Sequence, residues 1–307
     1  MKSPDIIGKK ILYFILSGVV IVPGIISLAL WGIRPAIDFT GGTTMEIRVE
    51  NPPKNTNDPI LIKDIEGIVQ SDKIGLASVQ VTNTKTYLLR MKPIDKSQTQ
   101  RLESDMNIKL GQISVLSLQT VGPTIGAETT LNAVKSVLIA SLAIIIFIAL
   151  AFRKIPKPYS SWKFGICAVI ALIHDVLVVV GIFSIMGHFF NVEVDSLFIT
   201  ALLTIMGFSV HDTIVVFDRI RENLHKMPSL SFADVTNESI VQTLARSLST
   251  SLTVLFTLFA LLLFGGETIR WFIVALLIGI ASGTYSSIFN ASPLLVLWEE
   301  WGQNRKN

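Results

Sequence analysis

Apolar positions gather into six long runs, each long enough to cross a membrane as a helix of about 20 residues. They are Ile11–Trp31, Leu131–Phe152, Phe164–Met186, Leu197–Phe217, Ser247–Phe264 and Trp271–Trp298. Between the first and second runs the pattern changes. Thr43–Val49 alternates apolar and polar residues, as a strand with one buried face does. Pro59–Gln70 carries Ile60, Ile62, Ile65 and Ile68 at helical spacing. Ala77–Val81 and Tyr87–Met91 read as strands around an Asn83-Thr84-Lys85-Thr86 turn. Gln98–Leu110 reads as a second helix with a polar face, and Ile113–Val121 as a last strand. The order βαββαβ is the split-βαβ, ferredoxin-like plan. The expected fold is an α-helical membrane protein of six transmembrane helices with one extracytoplasmic α+β ferredoxin-like domain. Residues 1–33 form the N-terminus and first span, 34–130 the domain, and 131–307 the other five spans with short loops and a C-terminal tail.

Half the residues are hydrophobic and 16% charged, with a mean hydropathy of +0.58. These values exclude an ordinary soluble domain. A net charge of +3 is too small to indicate a nucleic-acid partner. Its distribution is more informative, because lysine and arginine concentrate on cytoplasmic loops. Lys2, Lys9 and Lys10 precede span one, and Arg153, Lys154, Lys157 and Lys163 join spans two and three. Arg219, Arg221 and Lys226 join spans four and five, and Arg305 and Lys306 follow span six. The alternate loops hold little beyond His188, Glu193, Glu267 and Arg270. Both termini are therefore expected in the cytoplasm and the 34–130 insert outside it. Span one is too long for a signal-peptide core and lacks a small-residue cleavage site, so it reads as an uncleaved anchor. One cysteine, Cys167, allows no disulfide within the chain and reads as a small packing side chain.

The candidate chemistry lies inside the spans. Asp212 sits in an apolar run, where a carboxylate costs about 2.5–3.5 kcal/mol to insert. A group kept there faces a bundle interior or a wet path. Counted from Asp195, Asp212 lies about 25 Å inward; counted from Phe264, Arg246 lies about 27 Å from the same face. Neighbouring antiparallel helices at matched depth are expected to hold this acid and this arginine in contact, each offsetting the other's desolvation. The plainer alternative is an Arg246 that snorkels to the interface. Asp175 lies about 20 Å from the outer face in span three, either as a structural hydrogen-bond acceptor or on a proton path. His174 and His211 each precede an aspartate and are expected on a different helix face from it. No spacing of histidines argues for a metal site, and none is expected. Ser247, Ser249, Thr250, Ser251 and Thr253 suit an interior or wet face. Gly279, Gly283 and Ser287 form a small-xxx-small packing stripe. GxxxxGK[ST] is absent, so no ATP hydrolysis is expected of this chain, which reads as a non-enzyme without cofactors. For a pump with membrane carboxylates, the ion gradient is the energy source left.

Certain longer strings resemble a known family. They are Asp38-Phe39-Thr40-Gly41-Gly42, Val121-Gly122-Pro123, the run from His211 to Asn223 (HDTIVVFDRIREN), and Gln242-Thr243-Leu244-Ala245-Arg246. Together they are similar to the SecF subunits of bacterial SecDF protein-export complexes, a branch of the resistance-nodulation-division (RND) superfamily. The resemblance implies a multi-pass protein of the bacterial cytoplasmic membrane. It implies pairing with a SecD subunit that supplies six more spans, and proton-driven assistance to SecYEG and SecA in exporting polypeptides. It places the family's membrane acid and arginine on Asp212 and Arg246, and its span-three His-Asp pair on His174 and Asp175. The family often has asparagine before the acid, and His211 departs from that, adding a titratable group beside the relay. In DFTGG, Asp38 reads as a turn device, and Gly41 and Gly42 as backbone freedom for a tight exit from span one. Two other functions compete: an RND-type exporter of small molecules or lipids, and a passive scaffold of the translocon. One compact outside domain on six spans disfavours the first, and an acid and arginine at matched depth disfavour the second.

Overall fold

A computed structural model describes residues 4–50, 58–83, 85–153, 155–156 and 159–304. Lys2, Thr84, Lys154, Lys157, Arg305 and Lys306, which entered the charge and turn readings, lie outside the described residues. The elements in chain order are α1 (Lys10–Trp31), α2 (Ile37–Thr40), β1 (Gly42–Val49), α3 (Asp58–Ser71), β2 (Leu76–Asn83), β3 (Thr86–Met91), α4 (Lys96–Leu110) and β4 (Ile113–Val121). There follow α5 (Pro123–Ala151), α6 (Ser161–Phe190), α7 (Ser196–Lys226), α8 (Phe232–Phe264), α9 (Arg270–Ser286), a π turn (Ser287–Ala291) and α10 (Ser292–Asn304). They divide into two units, Pro35–Val134 and the remainder of the chain.

In the first unit the sheet order is β2-β3-β1-β4, with every neighbouring pair antiparallel. That is the ferredoxin-like arrangement the βαββαβ order predicts. The period-2 pattern of β1 buries Met45, Ile47 and Val49, and β3 adds Tyr87, Leu89 and Met91. Leu61, Ile65 and Ile68 of α3 and Leu102, Met106 and Leu110 of α4 complete the core. Ile62 is only partly buried, and the side chain of Ile60 lies outside the described residues. The α4 start is a capping box: Gln98 N donates to Asp95 Oδ1 at 2.8 Å, and Asp95 N to Gln98 Oε1 at 3.0 Å.

Two aspartates give this unit opposite responses to pH. The Gln98 amide and the Ser97 hydroxyl hold the Asp95 carboxyl below its ordinary range. The stability it contributes is present above the unfolded value and lost as pH falls through the lowered one. Desolvation and the facing Asp105 push Asp72 upward, so its contribution is lost as pH rises through the raised value. Residues 36–130 expressed alone are expected to unfold cooperatively. Asp95→Ala should lower the thermal midpoint at neutral pH, with the deficit vanishing in strong acid. Asp72→Asn should raise the midpoint at neutral pH and leave it unchanged in strong acid. Thermal melts over a pH series check both signs.

The two glycines of DFTGG have a steric reason. Gly41 and Gly42 take φ of +69° and +140°, which L side chains rarely adopt. A Cβ on Gly41 would lie 2.9 Å from Pro123 Cα, and one on Gly42 2.9 Å from the Met91 carbonyl oxygen. The turn therefore packs directly onto the backbone that leaves β4. Asp38 sits half-buried in the first turn of α2, where a negative charge suits the helix N-terminus.

Among the described residues six helices are long and apolar enough to cross a membrane, and all but the first turns of α5 belong to the second unit. They exceed the apolar runs: α7 continues past Phe217 to Lys226, and α8 starts at Phe232, well before Ser247. A hydropathy window sees only the lipid-facing stretch, whereas the helices continue as amphipathic segments that bury Asn223 against Ser239 at 2.9 Å. Phe152, Phe164, Phe217 and Phe232 close this end in an aromatic cluster, and Cys167 is buried in the same core. Small residues set the closest approaches. A Cβ on Gly279 would meet Ile205 Cδ1 at 2.3 Å, and one on Gly283 would meet Ser209 Cβ at 3.1 Å, so α9 lies tight on α7. The Gly279–Gly283–Ser287 stripe thus packs as its spacing predicts. A second crossing, Gly24 of α1 against Gly181 of α6, had no repeating spacing to announce it. One turn further, Ser27 and Ser184 share a 2.8 Å hydrogen bond. The π turn precedes Pro293, which has no N–H for the helix ladder, and within it Ser292 Oγ donates back to the Ser287 carbonyl at 3.3 Å.

Candidate functional site

Asp212 is 3% exposed, midway along α7. Its Oδ2 lies 3.4 Å from the hydroxyls of Ser251 of α8 and Thr284 of α9, which are themselves 2.6 Å apart. Each hydroxyl has one proton, so when Thr284 donates to Ser251 it is Ser251 that can donate to the carboxylate. Ser247, one turn before Ser251, is buried with a hydroxyl oxygen that has no hydrogen-bond partner among the described residues. Ser251 and Thr284 reach Asp212 because α8 and α9 both pack on α7, the latter through its glycines. The acid is therefore surrounded by hydroxyls, each of which can donate or accept. Such a shell donates to a carboxylate and accepts from a carboxylic acid with only a rotation of O–H bonds.

Arg246 is not part of that shell. Among the described residues no ion pair joins it to Asp212, and its side chain is exposed on α8. The expected contact fails for a geometric reason. Ser251, not Arg246, is the α8 residue level with Asp212, and five residues separate them. At 1.5 Å and about 100° per residue, Arg246 lies about 7 Å along α8 and about 140° around it. Depth counted from Asp195 and Phe264 missed this although α7 starts and α8 ends there, because those two ends are not level. Ser251 is only about 20 Å along α8 from Phe264, whereas Asp212 is about 25 Å along α7 from Asp195. The polar opening of span five is likewise two-sided. Ser247 and Ser251 face inward, while Ser249, Thr250 and Thr253 are exposed beside Arg246.

Asp175 of α6 is fully buried, and its partners come from three directions. Ser209 of α7 donates to Oδ2 at 2.5 Å, Ser286 of α9 to Oδ2 at 2.6 Å, and Ser282 to Oδ1 at 2.8 Å. His174 Nδ1 lies 3.0 Å from Oδ1. The pair was expected on different helix faces. A 100° offset does not separate a short acid from an imidazole that leans back toward it. His174 also bonds across helices as expected, with Nε2 at 3.0 Å from Asn290 Nδ2 in the π turn. His211 is exposed, whereas Asp212 beside it is buried, and no hydrogen bond joins the two among the described residues. Ser287 bridges the two acids' surroundings, 2.8 Å from Thr213 Oγ1 and donating to the Ser209 carbonyl at 3.3 Å. The serines of α9 were not legible as ligands, because isolated hydroxyls in an apolar run do not reveal which helix they meet.

The family profile described as protein export membrane protein SecD/SecF, C-terminal, matches residues 102–301, which include Asp175, Asp212 and Arg246. The SecD/SecF GG motif profile matches residues 26–53, which include Asp38, Gly41 and Gly42. The chain belongs to the SecD/SecF family. The protein translocase subunit SecF of Thermobaculum terrenum is 47% identical, over 96% of this chain and 94% of that one. The SecF subunit of Anaerolinea thermophila is 45% identical, over 97% and 95%. The crystal structure of SecDF, a translocon-associated membrane protein from Thermus thermophilus, superposes with a TM-score of 0.82 at 32% identity. That match covers 97% of this chain but 39% of the SecDF chain, so this chain spans well under half of it.

Proposed function

We propose that this SecD/SecF family member is a protein-translocase subunit that couples proton movement through its spans to polypeptide export. The observation carrying the proposal is the hydroxyl shell of Asp212: a buried membrane acid whose partners serve both of its protonation states. Protons are the coupling ion in this reading, and Asp212, Asp175 and Arg246 are the relay. The coarse role, an accessory subunit in protein export, agrees with the SecF relatives.

A SecD partner explains the exposed polar side chains. Thr200, Thr204, Gly207 and His211 form one stripe of α7, and Arg246, Thr250, Thr253 and Thr257 one stripe of α8, all exposed in the single chain. An arginine turned toward hydrocarbon costs kilocalories, and small polar residues favour helix–helix contact. The second half of a SecDF assembly would cover this face and give Arg246 a polar setting at the relay. SecYEG and the emerging polypeptide are the further partners proposed, in the bacterial cytoplasmic membrane with both termini in the cytoplasm.

The function is tested in membrane vesicles with ATP saturating, by removing this chain and restoring it. Export of a reporter should gain a gradient-driven increment only with the chain present; an equal increment without it would refute the coupling role. Topology is tested by cysteine labelling in a Cys167→Ser background. An impermeant reagent outside should label Ile108→Cys and spare Ser229→Cys. The reverse pattern would invert the orientation.

A further inference from the structure

We propose that His174 is a second proton-binding site of the bundle, with Asn290 as an amide that rotates to accommodate either charge state. The proposal extends the proton-coupled reading of the chain, but its geometry is separate from Asp212. His174 Nδ1 lies against Asp175 and Nε2 against Asn290 Nδ2, each at 3.0 Å. Nδ1–H then donates to the carboxylate, and the Nε2 lone pair accepts from the amide. This is the hydrogen-bond pattern of a neutral imidazole.

A proton added to the Nε2 lone pair makes that nitrogen a donor, and it would then face an amide NH₂. A 180° turn of the Asn290 amide replaces the NH₂ with the carbonyl oxygen. In most settings such a turn breaks the amide's other bond. Here Ser17 Oγ of α1 lies 2.9 Å from Asn290 Oδ1 and 2.8 Å from Nδ2. The hydroxyl donates to the oxygen or accepts from the nitrogen, so it remains bonded in both orientations. Ser17 and Asn290 are buried, at 9% and 7% exposure, so neither readily exchanges these bonds for bulk water. The π turn places Asn290 at this junction of α1, α6 and α10, and π turns recur at functional sites.

A cavity of about 160 Å³ lies alongside, bounded by Phe14, Ser17, Ile170, His174, Asn290 and Leu294, among others. Its accessible surface is apolar, so the polar groups of this junction are turned to one another rather than to water. From His174 the hydrogen bonds continue through Asp175 to Ser209 of α7, three residues before Asp212.

The titratable groups on the surrounding elements are few. Near the depth of His174, Tyr13 lies on α1, Asp212 and the exposed His211 on α7, and Tyr285 on α9. The other charged groups of α7 fall between Asp218 and Lys226 in its C-terminal turns, and Arg270 opens α9. Lys135 lies on α5. On α10, Glu299 pairs with Lys163 of α6 at 3.0 Å and Glu300 with Lys10 at 2.5 Å. Asp175 is the charged group in direct contact with the ring.

The test uses the chain with its SecD partner in lipid, ¹⁵N-labelled at histidine and followed by NMR between about pH 5 and 8, where histidine charge changes fall. His174→Gln assigns the signal. Wild type should pass from the Nδ1–H neutral tautomer to imidazolium within this range. Asn290→Asp offers a permanent acceptor and should leave His174 mostly imidazolium at a pH where wild type is neutral. Asn290→Leu fills the site without an acceptor and should cut the imidazolium fraction at least tenfold at low pH. It also serves should Asn290→Asp fail to assemble. A His174 that stays neutral throughout, or one that titrates alike in wild type and the assembled variants, overturns the proposal. The same titration in Asp212→Asn protein separates the two claims. His174 should convert there as in wild type, whether or not Asp212 carries protons.

Discussion

Asp212→Asn is expected to yield a folded, partner-associated protein whose gradient-driven export increment is abolished. Asparagine keeps the shape of the carboxyl and can still bond Ser251 and Thr284, so the packing of α7 against α8 and α9 survives. It cannot titrate. The ATP-driven part of export should be unchanged, and the part that depends on the proton gradient should fall to background. Asp212→Glu restores a titratable group on a longer stem and should recover a fraction of the increment. Arg246→Ala should also lose the increment while leaving the Asp212 hydroxyl shell intact, because Arg246 lies outside that shell. Arg246→Lys keeps the charge without the planar fork and should rescue only in part. Reporter export in vesicles with the gradient present or collapsed, alongside partner co-purification, distinguishes loss of coupling from loss of assembly.

Gly279→Leu is expected to have the largest effect on stability. The new Cβ alone would stand 2.3, 2.4 and 2.7 Å from three carbons of Ile205. Ile205 is itself fully buried, so its side chain can move only by giving up packing contacts elsewhere. Either α9 moves off α7 or the Ile205 side chain is expelled. Overpacking of this kind costs typically about 1–3 kcal/mol, and a leucine at so close an approach belongs at the upper end. Movement of α9 would also carry Thr284 away from Asp212 and Ser282 and Ser286 away from Asp175, so activity should fall with stability. Gly207→Ala is the control, since a Cβ there meets nothing within 4 Å. Thermal unfolding in detergent should show a clear drop for the first and little change for the second. Equal midpoints would contradict the packing account.

The elements with a strong period were legible from the residues alone. The four strands, α3 and α4 of the 34–130 insert fall within two residues of where alternation or helical spacing placed them, because one face of each meets a single core. The short α2 was not read, and α5 starts at Pro123 rather than Leu131. Span ends were less legible. Hydropathy marks where lipid begins, not where a helix stops. The Arg246 contact failed for another reason, since counting residues from two helix ends gives neither their relative level nor the face a side chain takes. Asp212 and Asp175 stood out because a carboxylate in an apolar run is costly anywhere. Their partners did not, since Ser209, Ser282, Ser286 and Thr284 gain meaning only when three helices meet. The α9 glycine stripe announced itself by spacing, whereas Gly24 and Gly181 sit singly on two helices and became significant only as a pair.

The central claim is that Asp212 exchanges a proton within the working pH range. Infrared difference spectroscopy tests it most directly, on the chain with its SecD partner in lipid, stepped between acidic and alkaline buffer. Wild type should show a protonated-carboxyl C=O band that appears in acid and is missing from Asp212→Asn. The same band, with the same pH dependence, in both proteins would contradict the account.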